Sequence, residues 1–198
     1  MIFFTSDCHF NDYEVIKREF RPFKTTKECD KYILKTWNKQ AKKGDTIYVI
    51  GDFISYGSRH RDLYKKGILN IKKIKANVVL LLGNNEERLI KAEFDNCFEN
   101  FKKYCLNLGF KDVKKDEFLE FNDKKFYLTH EPQNHKDNYI NLFGHIHKLG
   151  GLFKPFGINI ACDMNFLQLY SLDCIFELLS IKNGIEKNAP ELLEYKVD

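Results

Sequence analysis

No run of apolar residues in this chain approaches the length needed to cross a bilayer, so a membrane-spanning helix is excluded. Its six cysteines, Cys8, Cys29, Cys97, Cys105, Cys162 and Cys174, contain no C-x-x-C pair. Met1–Ser6 has no basic start followed by a cleavage site. These absences predict free, mostly buried thiols in a reducing compartment, and hence a soluble, cytoplasmic protein. No internal repeat, low-complexity segment or linker rich in Pro, Gly or Ser is present. The expectation is a single domain over residues 1–198 with a loosely held tail over about 187–198. A strong excess of one charge is also missing: the net charge is +4, spread as Lys-rich patches. That favours anionic partners weakly and does not establish nucleic-acid binding.

What the chain does have is apolar bulk. It is 43% hydrophobic with 18 Phe, enough for a thick core. Ile2–Thr5, Thr46–Ile50 and Val78–Leu82 are short apolar runs that read as buried strands. They stop at Ser6-Asp7, Gly51-Asp52 and Gly83-Asn84 respectively. Asp12–Phe20, Thr26–Lys43 and Leu63–Ile74 carry helical patterns, and Tyr32, Ile33, Trp37 and Ala41 fall on one face of the second. Strand, helix, strand, helix, strand predicts a parallel sheet covered on both faces. The second half differs. Phe94–Leu108 is expected as a helix, with Phe94, Cys97, Phe98, Phe101 and Leu108 inward. Glu117–Phe121 and Lys125–Thr129 flank Asn122-Asp123-Lys124 and predict a hairpin. Tyr139–Phe143 and Phe156–Ala161 are further strands, Ser171–Leu179 is a short helix, and this half is expected to be largely antiparallel.

The strand ends carry the chemistry. Asp7 and His9, Asp52, Asn84, His130, and His145 and His147 all sit at strand exits. In open α/β sheets such exits are where ligands bind. Residues two apart on an extended segment share a side, so Asp7 and His9 can share one ion while His145 and His147 straddle a pair. Each motif alone is weak, since a strand-end His is more often structural and Gly-Asp is simply a turn. The joint pattern is strong. Buried separately, each polar group would need its own partner, whereas one metal cluster satisfies them together. Cys8, alternating to the opposite side, reads as core packing.

The order Asp7-x-His9, Gly51-Asp52, Gly83-Asn84-Asn85-Glu86, His130, Gly144-His145-x-His147 resembles the calcineurin-like metallophosphoesterase family, small microbial and phage-type members in particular. Asn159–Asp163 and Tyr170–Asp173 resemble the end of such members. The resemblance implies an α/β (α+β) fold, a β-sandwich flanked by helices with a metal site at the strand ends. It implies a hydrolase with two divalent metal ions per chain. Asp7, His9 and His147 would hold one, Asn84, His130 and His145 the other, and Asp52 would bridge them. Mixed carboxylate and imidazole ligands suit Mn²⁺ first, and Fe, Zn²⁺ or Ni²⁺ as well. The implied reaction is in-line attack by a metal-bridging hydroxide on a phosphate ester.

The family usually has His after the ligand Asn; here the residue is Asn85. Asn donates a hydrogen bond but delivers no proton near neutral pH. This tilts the expectation to phosphodiesters, with a nucleotide or other small diester as partner. Asp52, Asn85 and Glu86 are the expected catalytic group, Glu86 by holding a neighbouring His or Asn. Arg59, His60, Arg61 and Arg88 are candidates for the substrate phosphate, and as solvated surface residues they are equally well explained. His60 and His135 are candidate proton donors, and Tyr56 and Phe53 candidate base-stacking rings. A phosphomonoesterase, a nuclease, and a metal-binding scaffold without activity are the alternatives. No basic groove or added module supports the nuclease, and no sequence feature sets the oligomeric state.

Overall fold

Three of the apolar runs become the centre of one sheet. The computed structural model describes residues 1–57 and 62–193. The chain runs β1 (Ile2–Thr5), α1 (Tyr13–Arg18), α2 (Thr26–Gln40), β2 (Thr46–Ile50), α3 (Leu63–Ile68), β3 (Asn77–Leu81), α4 (Asn84–Glu93) and α5 (Phe98–Leu108). It continues through β4 (Asp112–Lys114), β5 (Glu117–Phe121), β6 (Lys124–Leu128), β7 (Ile140–Phe143), β8 (Phe153–Lys154), β9 (Gly157–Asn159), β10 (Tyr170–Ser171) and α6 (Leu172–Asn188). The first sheet has the order β10-β1-β2-β3-β4. β1 to β4 are mutually parallel and β10 alone runs against them. Thr5 pairs with Val49, and Ile50 with Leu81, so the three central strands end together. Asp7, Asp52 and Asn84 therefore leave the sheet along one edge.

The second sheet has the order β5-β6-β7-β9-β8. Its outer pairs, β5 with β6 and β8 with β9, are antiparallel; β6 with β7 and β7 with β9 are parallel. The expectation of a largely antiparallel half is thus corrected. The chain after β6 makes a 3-10 turn at Pro132–Asn134 and returns before starting β7. That return puts His130 and His145, which follow parallel strands, at the same end.

β3 shows how the layers stack. Val78 and Leu80 face a core shared with Ile33, Trp37 and Phe101 of the helices. Val79 and Leu81, on the other face, meet Phe126, Leu128, Leu142 and Ile158 of the second sheet. Helices cover one face of the first sheet and the second sheet covers the other, rather than helices on both. The result is the mixed α/β sandwich with flanking helices that the motif order implied.

Several boundaries differ from expectation for local reasons. Thr25 and Glu28 form a reciprocal capping box that starts α2, and its buried face is Cys29, Ile33 and Trp37, four residues apart, with Tyr32 half exposed. Leu63–Ile74 divides into α3 and a 3-10 turn at Leu69–Lys73. The expected Phe94–Leu108 helix starts only at Phe98, because Asp95 and Asn96 take left-handed φ values of 52° and 53°. Asn122 and Asp123, with φ of 49° and 59°, make the two-residue hairpin turn. α4, β4, β8 and β10 have no counterpart among the elements the sequence predicts. α6 runs to Asn188, far beyond Leu179. In the stretch expected to be a loose tail, Pro190–Leu193 forms a 3-10 turn with Leu193 buried, and 194–198 lie outside the described residues. Among the described residues no helix is long and apolar enough to cross a membrane.

Phe126 bridges the two layers of the inter-sheet core, fully buried and edge-on to Phe176 of α6. Phe126→Ala should lower unfolding stability by about 3–5 kcal/mol, measured as a fall in urea midpoint at constant slope. A loss below about 1 kcal/mol would show that the two sheets do not depend on this contact.

Candidate metal centre

The exits of β1 and β2 stay coupled after the strands end. Asp7 N–H donates to Gly51 O at 3.1 Å, and His9 N–H to Asp52 O at 3.0 Å. Along this edge the backbone turns left-handed: Asp7, His9, Asp52, His145 and His147 have φ of 58°, 48°, 52°, 71° and 46°. Non-glycine residues pay roughly 1–2 kcal/mol for that conformation. Asp7 and His9 therefore share a side through turned backbone, not through the two-residue alternation of an extended strand. Glycine is required next to them. Gly51 has φ of 82°, and a Cβ there would strike the His130 ring; at Gly83 it would strike Asp52 Oδ1.

Each imidazole's protonation can be assigned from its partners. His9 Nδ1 lies 2.7 Å from Ser55 Oγ, whose own hydrogen goes to Asp12 Oδ2 at 2.5 Å. His130 Nδ1 is 2.8 Å from Ile50 O, and His147 Nδ1 is 2.9 Å from Asp163 Oδ2. All three Nδ1 atoms must donate, so in the neutral rings all three Nε2 atoms carry lone pairs. Those lone pairs point inward at oxygen. His9 Nε2 stands 3.6 Å from Asp52 Oδ2 and 3.8 Å from Asp7 Oδ1. His147 Nε2 is 3.6 Å from Asp7 Oδ1, and His130 Nε2 is 3.6 Å from Asp52 Oδ2. Asn84 Oδ1 lies 3.2 Å from His130 Nε2 and 2.9 Å from His145 Nδ1.

Buried acceptors that face acceptors repel unless a cation lies among them. Asp7 Oδ1 and His9 Nε2 are buried and have no hydrogen-bond partner. Asp7, His9 and His147 offer ligand atoms within 4.8 Å of one another, as do Asp7, Asp52 and His130. The donor set fits hard-to-borderline divalent metal ions. Burial raises the Asp7 carboxyl, but contact with His9 and the positive field of His130 and His147 outweigh it and hold Asp7 below the usual carboxylate range.

With this geometry in place, the chain can be compared with known proteins. The sequence profile of the calcineurin-like phosphoesterases matches residues 1–176. The chain belongs to the calcineurin-like phosphoesterase family. An uncharacterized protein of Methanocaldococcus jannaschii is 28% identical over 188 residues, 90% of each chain. A solved structure, a protein of unknown function from Aquifex aeolicus, superposes with a TM-score of 0.65 at 21% identity, over 90% of this chain and 98% of its own. That likeness shows the fold. Calcineurin-like phosphoesterases are metal-dependent phosphoester hydrolases, which agrees with the acceptor cluster found at the strand exits.

All seven side chains expected around the ions converge, and a cleft of about 660 Å³ opens beside His9, Asp52, Asn84, His145 and His147. Arg88 and Asn85 also line this cleft. Arg59, His60 and Arg61 lie outside the described residues. His135 lines a second cleft of about 430 Å³, which also reaches Asn84 and His130, and stacks on Phe156 at 4.2 Å. Phe53 is fully buried against Phe10 and Phe110, so it is core and not a base-stacking ring. Tyr56 lines the cleft with its hydroxyl donating to Glu93 at 2.7 Å.

Asn85 and Glu86 turn inward. Asn85 Nδ2 donates to Asp52 Oδ2 at 2.5 Å, its backbone N–H to Asp52 Oδ1 at 3.0 Å, and its Oδ1 accepts Tyr56 N–H at 2.9 Å. Glu86 accepts the backbone N–H groups of Asp52, Gly83 and Ile54 at 2.8, 2.9 and 3.3 Å. It braces backbone rather than a neighbouring His or Asn side chain, and it does not line the cleft. Burial, then the Asp52 charge, push its carboxyl up to about 7.

Sequence reasoning missed the groups that hold the imidazoles. Arg21 is buried; it donates to the carbonyls of Asp7 and Cys8 at 2.9 and 2.8 Å and grips Asp163 at 2.8 Å through two nitrogens. Despite burial, hydrogen bonds from Arg21 and His147 hold Asp163 at about 2. Arg18 Nη2 reaches His147 Nε2 at 3.0 Å. No spacing signals these pairings, which join residues 129 or 142 positions apart. The Ser55 and Asp12 pair, 43 apart, is equally silent.

Ser55→Ala removes the acceptor that orients His9. Titrating chelator-stripped protein with Mn²⁺ in a calorimeter should show a roughly 10–100-fold loss of affinity. Wild-type affinity in that variant would mean His9 is oriented without Ser55.

Proposed function

We propose that the chain is a dinuclear metal-dependent phosphodiesterase, with Mn²⁺ as the first choice of ion. The observation that carries the reading is Asp52 Oδ2. It stands 3.6 Å from both His9 Nε2 and His130 Nε2, between two groups of inward-facing acceptors. Asp7, His9 and His147 would hold one ion, Asn84, His130 and His145 the other, with Asp52 common to both. Bound there, the ions supply Lewis-acid polarisation of the phosphoryl oxygens and a water acidic enough to attack near neutral pH.

The remaining work falls to this chain's own residues. Arg18 and Arg88 line the cleft as cationic donors for non-bridging phosphate oxygens. Asn85 holds Asp52 by both its amide groups, so it positions a carboxylate and gives no proton to a leaving oxygen. Glu86 fixes the backbone on which Asp52 sits. A missing acid at position 85 matters most where the leaving group is basic, and general acid catalysis is typically worth about 10²–10⁴-fold. That supports diesters over monoesters as substrates. The net charge of only +4 favours small diesters over long nucleic acid.

Asp52→Asn should lose nearly all hydrolysis of bis(4-nitrophenyl) phosphate at saturating Mn²⁺. Retention of wild-type turnover would sink the mechanism. The diester preference has its own check: kcat/KM for bis(4-nitrophenyl) phosphate should exceed that for 4-nitrophenyl phosphate. The reverse order would make the chain a monoesterase.

A further inference from the structure

The C-terminus of α1 carries an anomaly that the metal centre does not explain. Glu19 caps the helix, Phe20 N–H donates to Lys17 O at 3.2 Å, and Arg21 N–H donates to Ile16 O at 2.9 Å. This pair of bonds is the Schellman arrangement, whose left-handed position is normally glycine. Here it is Phe20, with φ of 52° and its side chain 86% exposed. A bulky aromatic residue in that conformation is strained, and an exposed ring gains nothing from burial in return. Phe166 shares the conformation and the exposure but does not line the catalytic cleft, whereas Phe20 does.

The surroundings of Phe20 say what it faces. Leu149, 79% exposed, lines the same cleft. Lys148 Nζ donates to Glu19 O at 2.5 Å and so ties the loop carrying Leu149 to the one carrying Phe20. Arg18, two residues before Phe20, reaches inward to His147 at the metal cluster. The cleft thus combines divalent-ion ligands, a guanidinium in contact with one of them, and an exposed ring and an aliphatic side chain carried on loops tied to each other. A phosphate held at the cluster meets Arg18, and its substituent meets Phe20.

Resting on the phosphodiesterase reading, the geometry points to a substrate whose non-leaving substituent is a nucleoside, with its base stacked on Phe20 and edged by Leu149. A planar base suits a single exposed ring, and stacking of this kind tolerates any base. A lipid tail is the competing occupant, since Val15, Leu63 and Ile146 add apolar lining to the cleft, and the octyl ester below separates it from a base.

The test uses metal-loaded full-length protein and two diesters with the same leaving group, thymidine 5′-(4-nitrophenyl phosphate) and methyl 4-nitrophenyl phosphate. The wild type should prefer the nucleoside ester in kcat/KM, and Phe20→Ala should reduce that preference by about 10-fold, chiefly through KM. Phe20→Gly separates binding from folding: relief of the left-handed strain should raise the thermal midpoint by roughly 2–4 °C while the preference falls by the same factor. Phe20→Tyr should restore it. An unchanged preference in Phe20→Ala overturns the proposal, as does an octyl 4-nitrophenyl phosphate turned over as well as the nucleoside ester. Adenosine 5′-monophosphate binding, measured by calorimetry in wild type and Phe20→Ala, is read independently of turnover. If neither ester is hydrolysed, the phosphodiesterase reading fails, and the stacking site stands on a 10-fold weaker binding in the variant and falls on equal binding.

Discussion

Lone pairs buried face to face repel, and the strand-end edge of this protein is built from them. Three imidazole nitrogens point at Asp7 and Asp52 because their opposite nitrogens are committed to Ser55, Ile50 and Asp163. With the rings neutral, Arg18 answers His147 Nε2 and Asn85 answers Asp52 Oδ2, but Asp7 Oδ1 and His9 Nε2 are left without a donor. Protonating a ring would quench one repulsion only, and at the cost of burying an ionised imidazole. A metal ion resolves all of them at once. The positive-φ backbone at Asp7, His9, Asp52, His145 and His147 is the conformational side of the same constraint. It aims side chains that a regular strand would send to alternate faces.

Support for this edge comes from both halves of the chain. The first sheet contributes in-register parallel strands, and Glu86 clamps the turns after β2 and β3 with one carboxylate. The second sheet contributes parallel β6 and β7, which deliver His130 and His145 to the same end. Arg21 then fastens the β1 exit to Asp163, beyond β9. The first sheet's far face and the helices carry most of the large buried rings, so the centre is seated on a stiff base.

Much of this was legible in the sequence, and the parts that were not have physical reasons. Glycine-terminated apolar runs mark β1, β2 and β3 because fully buried parallel strands need continuous branched residues and an abrupt stop. The His and Asp residues at the exits stood out because several occur together. The sequence predicts that Asp7 and His9 share a side through extended backbone; they do so through a left-handed turn, which composition does not encode. α4 is marked in the sequence only by Glu86, three residues after Gly83, a helix-start signal that coincides with the ligand motif. The parallel pairing of β6 with β7 depends on a loop path that no periodicity reports. Arg21, Arg18 and Ser55 make contacts fixed only by tertiary structure, and a buried arginine reads in sequence like any surface one.

The Arg21–Asp163 grip joins an early part of the chain to a late one. A chain leaving the ribosome N-terminus first makes Asp7, His9, Asp52 and Asn84 early, and His145, His147 and Asp163 late. Until residue 163 has emerged, the Arg21 guanidinium has only the carbonyls of Asp7 and Cys8 to answer it, and the β1 exit lacks its fastening. Until then the growing chain carries only the earlier half of the acceptor cluster, and the later half arrives with the residue that fastens it.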